Sequence, residues 1–158
     1  MGEILTLEEA KRRRAASRVL GRRFVFTNGC FDILHPGHIE LLKKARSLGD
    51  TLCVGLNSDR SVRAIKGPGK PIQGEVARAA VLAAIGSVSY VVLFDEDTPL
   101  RLIQELKPDV LVKGGDYRPE DVVGRGVVEG AGGEVHIIPL LPGHSSSRIA
   151  EKIRAPEG

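Results

Sequence analysis

The sequence is poor in cysteine and aromatic residues. Cys30 and Cys53 are the two cysteines among 158 residues, tryptophan is absent, and aromatic side chains make up 4% of the chain. Such a chain fits a reducing compartment and is long enough to bury a core without disulfides. It also lacks the stacking platforms of single-stranded nucleic-acid binders. The 23 basic and 20 acidic residues give a net charge of +3, which suits phosphorylated substrates rather than a nucleic-acid partner.

Long apolar runs and several common motifs are also missing. No apolar run of about 18 residues occurs, and the N-terminal residues lack the apolar core of a signal peptide. There is no Gly-x-Gly-x-x-Gly after a strand, no P-loop and no Gly-x-Ser-x-Gly elbow. We therefore expect a cytoplasmic protein without membrane contact. These absences disfavour a dinucleotide-dependent dehydrogenase, a P-loop NTPase and an α/β-hydrolase.

Short apolar segments alternate with amphipathic ones along the chain. This alternation predicts an α/β fold, a Rossmann-like three-layer sandwich with a mostly five-stranded parallel sheet, in a single domain over residues 1–158. The stretch 57–73 is polar and contains glycine, which predicts a loop with a short helix inside it. The expected strands are 23–28, 51–56, 90–94, 109–112 and 135–138, and the expected helices are 6–20, 36–48, 74–86, 98–106 and 146–154, with part of 119–131.

The stretch 24–42 carries the strongest functional signal. His35 and His38 flank Pro36-Gly37 at the junction of the first expected strand and the helix that follows it. Free backbone N–H groups and the helix dipole favour an anion at such a junction, and Gly37 lets the backbone approach a phosphate closely. Two imidazoles beside a phosphate site indicate chemistry on phosphate. A zinc site is disfavoured, because Cys30 and the two histidines have no fourth ligand.

These residues resemble a known family. His35-Pro36-Gly37-His38 resembles the His-x-Gly-His signature of the nucleotidylyltransferase superfamily, and 28–34 resembles its cytidylyltransferase-like branch. Residues 112–120 and 57–59 resemble the heptose 1-phosphate adenylyltransferase family. The resemblance implies that His35 and His38 contact nucleotide phosphates, and that Asn28, Gly29, Cys30 and Phe31 line the same turn. Asp32 either holds that loop by hydrogen bonds or takes part in function.

A second phosphate element follows near the C-terminus. Ser145, Ser146 and Ser147 precede an expected helix, where they either cap the helix or bind an anion. The family resemblance favours binding of the triphosphate. Relatives often carry an arginine just before these serines, and Leu-Pro-Gly-His stands here instead. Triphosphate contacts must therefore come partly from elsewhere.

Cationic and polar candidates are spread over the other loops. Lys113 ends a buried strand, at the edge where open α/β sheets bind ligands. It joins His35 and His38 as a candidate catalytic residue. Lys66 and Arg78 are candidate phosphate contacts, and Gly115 and Asp116 lie just beyond Lys113 as further nucleotide contacts, although Asp116 is also a normal turn residue. Asn57 and Asp59 have the same ambiguity.

The resemblance implies a specific reaction with several alternatives. An adenylyltransferase would transfer AMP from ATP to D-glycero-β-D-manno-heptose 1-phosphate, with Mg²⁺ accompanying the triphosphate and no metal held by the protein alone. The same signatures also fit glycerol-3-phosphate with CTP or FMN with ATP. A non-catalytic nucleotide-binding regulatory module is a third possibility. An exposed edge strand and short helices would permit a homodimer.

Overall fold

The fold is a parallel sheet with helices on both faces. It was analysed as a computed structural model, which describes residues 1–155. The strands are β1 (Glu3–Leu5), β2 (Phe24–Gly29), β3 (Thr51–Asn57), β4 (Tyr90–Phe94), β5 (Val110–Gly114) and β6 (Glu134–Ile138). The helices are α1 (Leu7–Val19), α2 (Pro36–Ser47), α3 (Asp59–Lys66), α4 (Glu75–Ala83), α5 (Leu100–Leu106), α6 (Arg125–Gly130) and α7 (Ser146–Arg154), with a 3-10 turn at Pro119–Asp121.

All strand pairs are parallel, and the sheet order is β1-β4-β3-β2-β5-β6. Strands β2 and β3 lie at its centre, so the loops that follow them open at the middle of the carboxyl edge. After β2, the chain adds β3 and β4 on one side of that strand and then β5 and β6 on the other side. Ligands of open α/β sheets bind at such a switch point, which here lies between β2 and β5. The topology therefore places the residues after β2, β3 and β5 side by side.

Two apolar layers cover the sheet. One face packs Val25, Leu52 and Val54 against α2 and α4, and the other packs Phe26, Cys53 and Leu111 against α1 and α5. Consecutive strand residues thus enter different cores, because side chains alternate across a strand. This arrangement confirms the three-layer Rossmann-like fold.

The strand count differs from the sequence-based prediction. Within residues 1–155 the sheet has six strands, because Glu3–Leu5 pairs with β4 at the sheet edge, with Ile4 opposite Val91. A three-residue strand is too short to show the alternation that identifies strands, and the helix α1 begins two residues after it. The expected helix 74–86 ends earlier, at Ala83, and 119–131 holds the 3-10 turn and α6. Among residues 1–155, no helix is long and apolar enough to cross a membrane.

Candidate active site

The loop between β2 and α2 places both histidines at the start of a helix. Pro36 is the first residue of α2 and His35 is its N-cap. Nδ1 of His35 accepts a hydrogen bond from the backbone N–H of Gly37 at 3.1 Å, and Nδ1 of His38 accepts one from the N–H of His35 at 3.3 Å. An accepting Nδ1 carries no proton, so each neutral ring carries its proton on Nε2. Each imidazole therefore has an Nε2–H donor available for another partner.

Burial keeps these rings neutral in the absence of ligand. It lowers the pKa of His38 to about 4, with smaller contributions from His35 and Lys66. Burial also lowers the pKa of His35, and the nearby His144 lowers it further. The centroids of the His35 and His38 rings are 3.9 Å apart. Among the described residues, no negatively charged group raises the pKa of either ring. A bound anion would bring a negative charge beside this neutral imidazole pair.

Gly37 is required by the ring that caps the helix. A Cβ at Gly37 would lie 2.8 Å from Cε1 and 2.9 Å from Nδ1 of His35. Cβ atoms do not approach other atoms this closely, so a side chain here would displace the imidazole. This contact is a second reason for glycine, beside the close approach to phosphate that the sequence suggests.

Phe31 packs against the His38 ring of the pair. Its backbone has φ of +46°, a left-handed conformation that costs on the order of 1 kcal/mol for such a residue. The ring is buried and its centroid lies 5.3 Å from that of His38. A Cβ at Gly29 would lie 2.9 Å from the same ring. Phe31 and Gly29 thus shape the turn through packing, while the predicted backbone contacts with a nucleotide stay a prediction.

Asp32 ties the same loop to the polar stretch after α3. Its two carboxylate oxygens accept hydrogen bonds from the backbone N–H groups of Ile72 and Gln73, at 2.7 and 2.8 Å. The Gln73 side chain donates in return to the backbone carbonyl of Asp32 at 3.1 Å. Of the two roles left open for Asp32, the structure supports the one that holds the loop.

Arg78 lies beneath the site, with its side chain fully buried. Its guanidinium donates to the carbonyls of Cys30 and Asn57 at 2.8 Å and of Gln73 at 2.9 Å, and it pairs with Asp59 at 2.8 Å. These contacts use four of its five N–H groups. The side chain that we expected on phosphate therefore joins the ends of β2 and β3 and the stretch before α4 from below. Asp59 is its partner.

Three adjoining cavities run along the carboxyl edge of the sheet, and Lys66 lines all three. The histidine cavity, about 230 Å³, is lined by His35, Gly37, His38, Leu41, Lys66, Leu140, Leu141, His144 and Ser145–Ser147. The central cavity, about 170 Å³, includes Asn28, Gly29, Cys30, Phe31, Asp32, His38, Lys66, Lys113, Gly114 and Ser146. The side cavity, about 370 Å³, includes Asn28, Cys30, Asn57, Lys66, Asp97, Thr98, Lys113, Tyr117 and Asp121.

The two lysines converge on the central cavity from different elements. Lys66 is the last residue of α3, and Lys113 lies near the end of β5. Nζ of Lys113 sits 4.8 Å from the centroid of the Tyr117 ring, which restrains the ammonium by a cation–π contact. Gly115 is buried, with φ of +122°, and its N–H donates to the carbonyl of Ile138. Asp116 is exposed and lines none of these three cavities.

The three serines divide their roles. Ser145 caps α7, where its Oγ accepts from the N–H of Arg148 at 3.0 Å. Ser146 donates to the carbonyl of Ile33 at 2.6 Å, which joins the start of α7 to the loop before His35. Ser147 lines the histidine cavity. All three reach the site, and the phosphate contacts predicted for them stay a prediction.

Two further residues line these cavities beside the predicted ones. The His144 ring is nearly parallel to that of His35, at 15°, with 6.1 Å between centroids. Asp97 follows β4 and lines the side cavity. Position after a parallel strand was the one available signal for Asp97. Within residues 1–155, no group of three or more His, Cys, Asp or Glu side chains could hold a metal ion.

Proteins with similar sequences carry one name in common. A protein from Geotalea uraniireducens named bifunctional protein HldE is 59% identical over 88% of this chain, and one of the same name from Rhodopseudomonas palustris is 60% identical over 85%. The chain spans 28% of the length of each relative.

Two solved structures share the fold. A lipopolysaccharide core biosynthesis protein from Thermoplasma volcanium is 29% identical, with a TM-score of 0.62 over 77% of this chain and 98% of that one. A pantoate-beta-alanine ligase from Francisella tularensis is 15% identical, with a TM-score of 0.64 over 99% of this chain and 80% of that one, and shows the fold alone.

The fold, the histidine pair and these matches define a nucleotidyltransferase. More narrowly, the model of the cytidylyltransferase-like family matches residues 26–152, and the chain belongs to that family.

Proposed function

We propose that this chain transfers AMP from ATP to D-glycero-β-D-manno-heptose 1-phosphate, giving ADP-heptose and pyrophosphate. One observation carries the chemistry: among residues 1–155, the Nε2–H donors of His35 and His38 have no hydrogen-bond partner, and they lie beside the start of α2 in cavities that Lys66 also lines. The sugar rests on the resemblance of 57–59 and 112–120 to the heptose 1-phosphate adenylyltransferase family. The product would serve lipopolysaccharide or another cell-surface glycan.

The reaction is a direct in-line displacement. An oxygen of the sugar phosphate attacks the α-phosphorus of ATP, and the bond from that phosphorus to the oxygen bridging the β-phosphate breaks. The electron pair of that bond leaves with pyrophosphate. A phosphate monoester is already largely deprotonated at neutral pH, so the attack needs no general base.

The residues of the site would act through charge and hydrogen bonding. The Nε2–H groups of His35 and His38 would donate to oxygens of the triphosphate, where negative charge builds in the transition state. Lys113 and Lys66 would bring the sugar phosphate and the α-phosphate together despite their mutual repulsion. The N–H groups at the start of α7 would hold the far end of the triphosphate.

We also propose that Mg²⁺ enters this site with ATP. The described residues contain no side-chain cage for a metal, so oxygens of the triphosphate would supply most of the ligands. Mg²⁺ would neutralise charge on the phosphates. The histidines and lysines would then orient a metal-bound triphosphate.

The test is pyrophosphate release with ATP or CTP against heptose 1-phosphate, glycerol-3-phosphate and FMN. We expect turnover with ATP and heptose 1-phosphate in Mg²⁺, and its loss when EDTA removes the metal. Turnover with another pair would overturn the substrate and keep the reaction class. Nucleotide binding without turnover of any pair would overturn the proposed reaction and favour the regulatory module.

A further inference from the structure

The side cavity is the largest of the three cavities. The part of its wall that lies away from the lysines is not suited to binding phosphate. It shares Asn28, Cys30, Lys66 and Lys113 with the central cavity, so it opens directly beside the candidate reaction centre. Most of its other lining residues belong to the loop after β4 or follow β5, and Asn57, Ile65 and Leu111 complete the wall. These loops supply the carboxylates of Asp97 and Asp121, which would repel a polyphosphate.

Asp97 differs from the acids around it. Asp95 is bound by Ser58 and Arg60, and Glu96 by Arg101 at 3.1 Å. Asp121 is paired with Arg118 at 3.0 Å. Within residues 1–155, Asp97 makes no hydrogen bond or ion pair, and it is the member of the acidic run 95–97 that lines the cavity.

An unpaired carboxylate on a cavity wall accepts hydrogen bonds and does not donate them at neutral pH. Asp97 is exposed, so water satisfies its two oxygens until a ligand enters, and two hydroxyl groups of a bound ligand can take the place of that water. A second anionic group would be rejected there by like-charge repulsion. The cavity thus combines lysines at the end near the reaction centre with an anionic outer wall.

We propose that the side cavity holds the acceptor, and that Asp97 selects a monophosphate whose remaining part is an uncharged polyol. This inference rests on the proposed function and names the determinant of its acceptor specificity. The acceptor phosphate lies between Lys66 and Lys113, and the hydroxyls of the sugar face Asp97. Asp97 is a specificity-determining residue and takes no part in bond making.

Steady-state kinetics of Asp97→Asn with ATP and heptose 1-phosphate test the inference. Asparagine keeps the shape and removes the charge. We expect KM for the sugar phosphate to rise about tenfold or more, as for loss of a charged hydrogen bond, with KM for ATP within about twofold of the original. The matched control is Glu96→Gln, next in the chain and outside the cavity lining, which leaves both constants unchanged.

A sugar bisphosphate with its second phosphate on the terminal carbon gives an independent readout. The original protein should prefer the monophosphate strongly, and Asp97→Asn should reduce that preference. Unchanged KM and unchanged preference in the variant would overturn the inference, and so would a selective rise in KM for ATP.

Titration of heptose 1-phosphate into the protein without ATP separates this inference from the proposed function. If the protein shows no turnover but binds the sugar phosphate, and Asp97→Asn weakens that binding, the proposed reaction fails and the acceptor site stands. Absence of sugar-phosphate binding to the original protein, both alone and with a non-hydrolysable ATP analogue, would overturn the acceptor site, whereas pyrophosphate release decides the reaction.

Discussion

Gly37 and His35 fit together so closely that the absence of one side chain fixes the position of the other. The space that a Cβ at Gly37 would need lies 2.8 Å from Cε1 of the His35 ring. The same ring nitrogen that would meet this Cβ accepts the Gly37 N–H. The glycine is thus part of the geometry of the imidazole, in addition to the close approach to phosphate that the sequence predicts for it.

Gly37→Ala should separate activity from stability. Alanine stabilises a helix by about 1 kcal/mol relative to glycine. This gain offsets part of the cost of the close contact between the new Cβ and the His35 ring, so the free energy of unfolding should change little. The rate of pyrophosphate release should fall about tenfold or more, because the displaced ring no longer aims its Nε2–H. The control is Gly126→Ala in α6, where no atom lies within 4 Å of the new Cβ. An unchanged kcat in Gly37→Ala would refute this role.

His38→Ala should nearly abolish turnover. Removal of one pre-aligned donor to a developing charge typically costs about 100-fold or more in kcat. His136 provides the matched control, because it is a histidine on β6 whose ring pairs with Glu134 at 3.0 Å, outside the three cavities. His136→Ala should keep the original rate of pyrophosphate release. Turnover of His38→Ala at the original rate would remove His38 from the mechanism.

The histidine pair should make the protein less stable in mild acid. The folded pKa of His38 is about 4, against 6.5 for a free histidine, so the unfolded chain binds more protons between these values. The free energy of unfolding therefore rises with pH across this window and falls as pH drops from 6.5 towards 4. His35, whose pKa is also lowered, adds to the same slope.

Urea denaturation at pH 7 and pH 5 measures this effect. From pH 7 to pH 5, the free energy of unfolding should fall more in the original protein than in His38→Asn, because the variant has no imidazole to protonate at position 38. His136→Asn, which removes a partly exposed histidine outside the three cavities, should lose more stability between these pH values than His38→Asn. Equal losses in the original protein and His38→Asn would contradict the depressed pKa.

Arg78→Ala should destabilise the protein strongly. It leaves three carbonyls without their donor and Asp59 without its ion pair, and loss of a buried charged partner costs about 3 to 5 kcal/mol. Arg101→Ala is the matched control, since Arg101 is exposed and its pair with Glu96 should contribute less than about 1 kcal/mol. Denaturation midpoints measure both. A loss in Arg78→Ala no larger than in Arg101→Ala would contradict the structural role.

The sequence predicts the central elements well because their patterns are strong. Strand 90–94 and helix 146–154 match the structure to the residue, and Pro36 does begin α2. The histidine junction follows from the same local signals, a strand, a turn and a proline. The edge strand β1 was missed because its place in the sheet depends on β4, which lies about 85 residues away in the chain.

Buried polar contacts explain where the site predictions depart from the structure. Nothing local distinguishes Arg78 from a surface arginine, because its four acceptors come from three separate segments. Asp97 is one of three consecutive acidic residues, 95–97, and the sequence does not show which of the three carboxylates lacks a partner. Such assignments need the three-dimensional arrangement of the loops.

Arg78 also bears on how this site can diversify. At Cys30, Asn57 and Gln73 the guanidinium binds backbone carbonyls, which every amino acid provides. Substitutions at Cys30, in the wall of the side cavity, can therefore change the chemistry facing a substrate while the backbone beneath keeps its path. Acceptor preference and loop geometry are encoded by different atoms, so evolution or an engineer can alter the first without rebuilding the second.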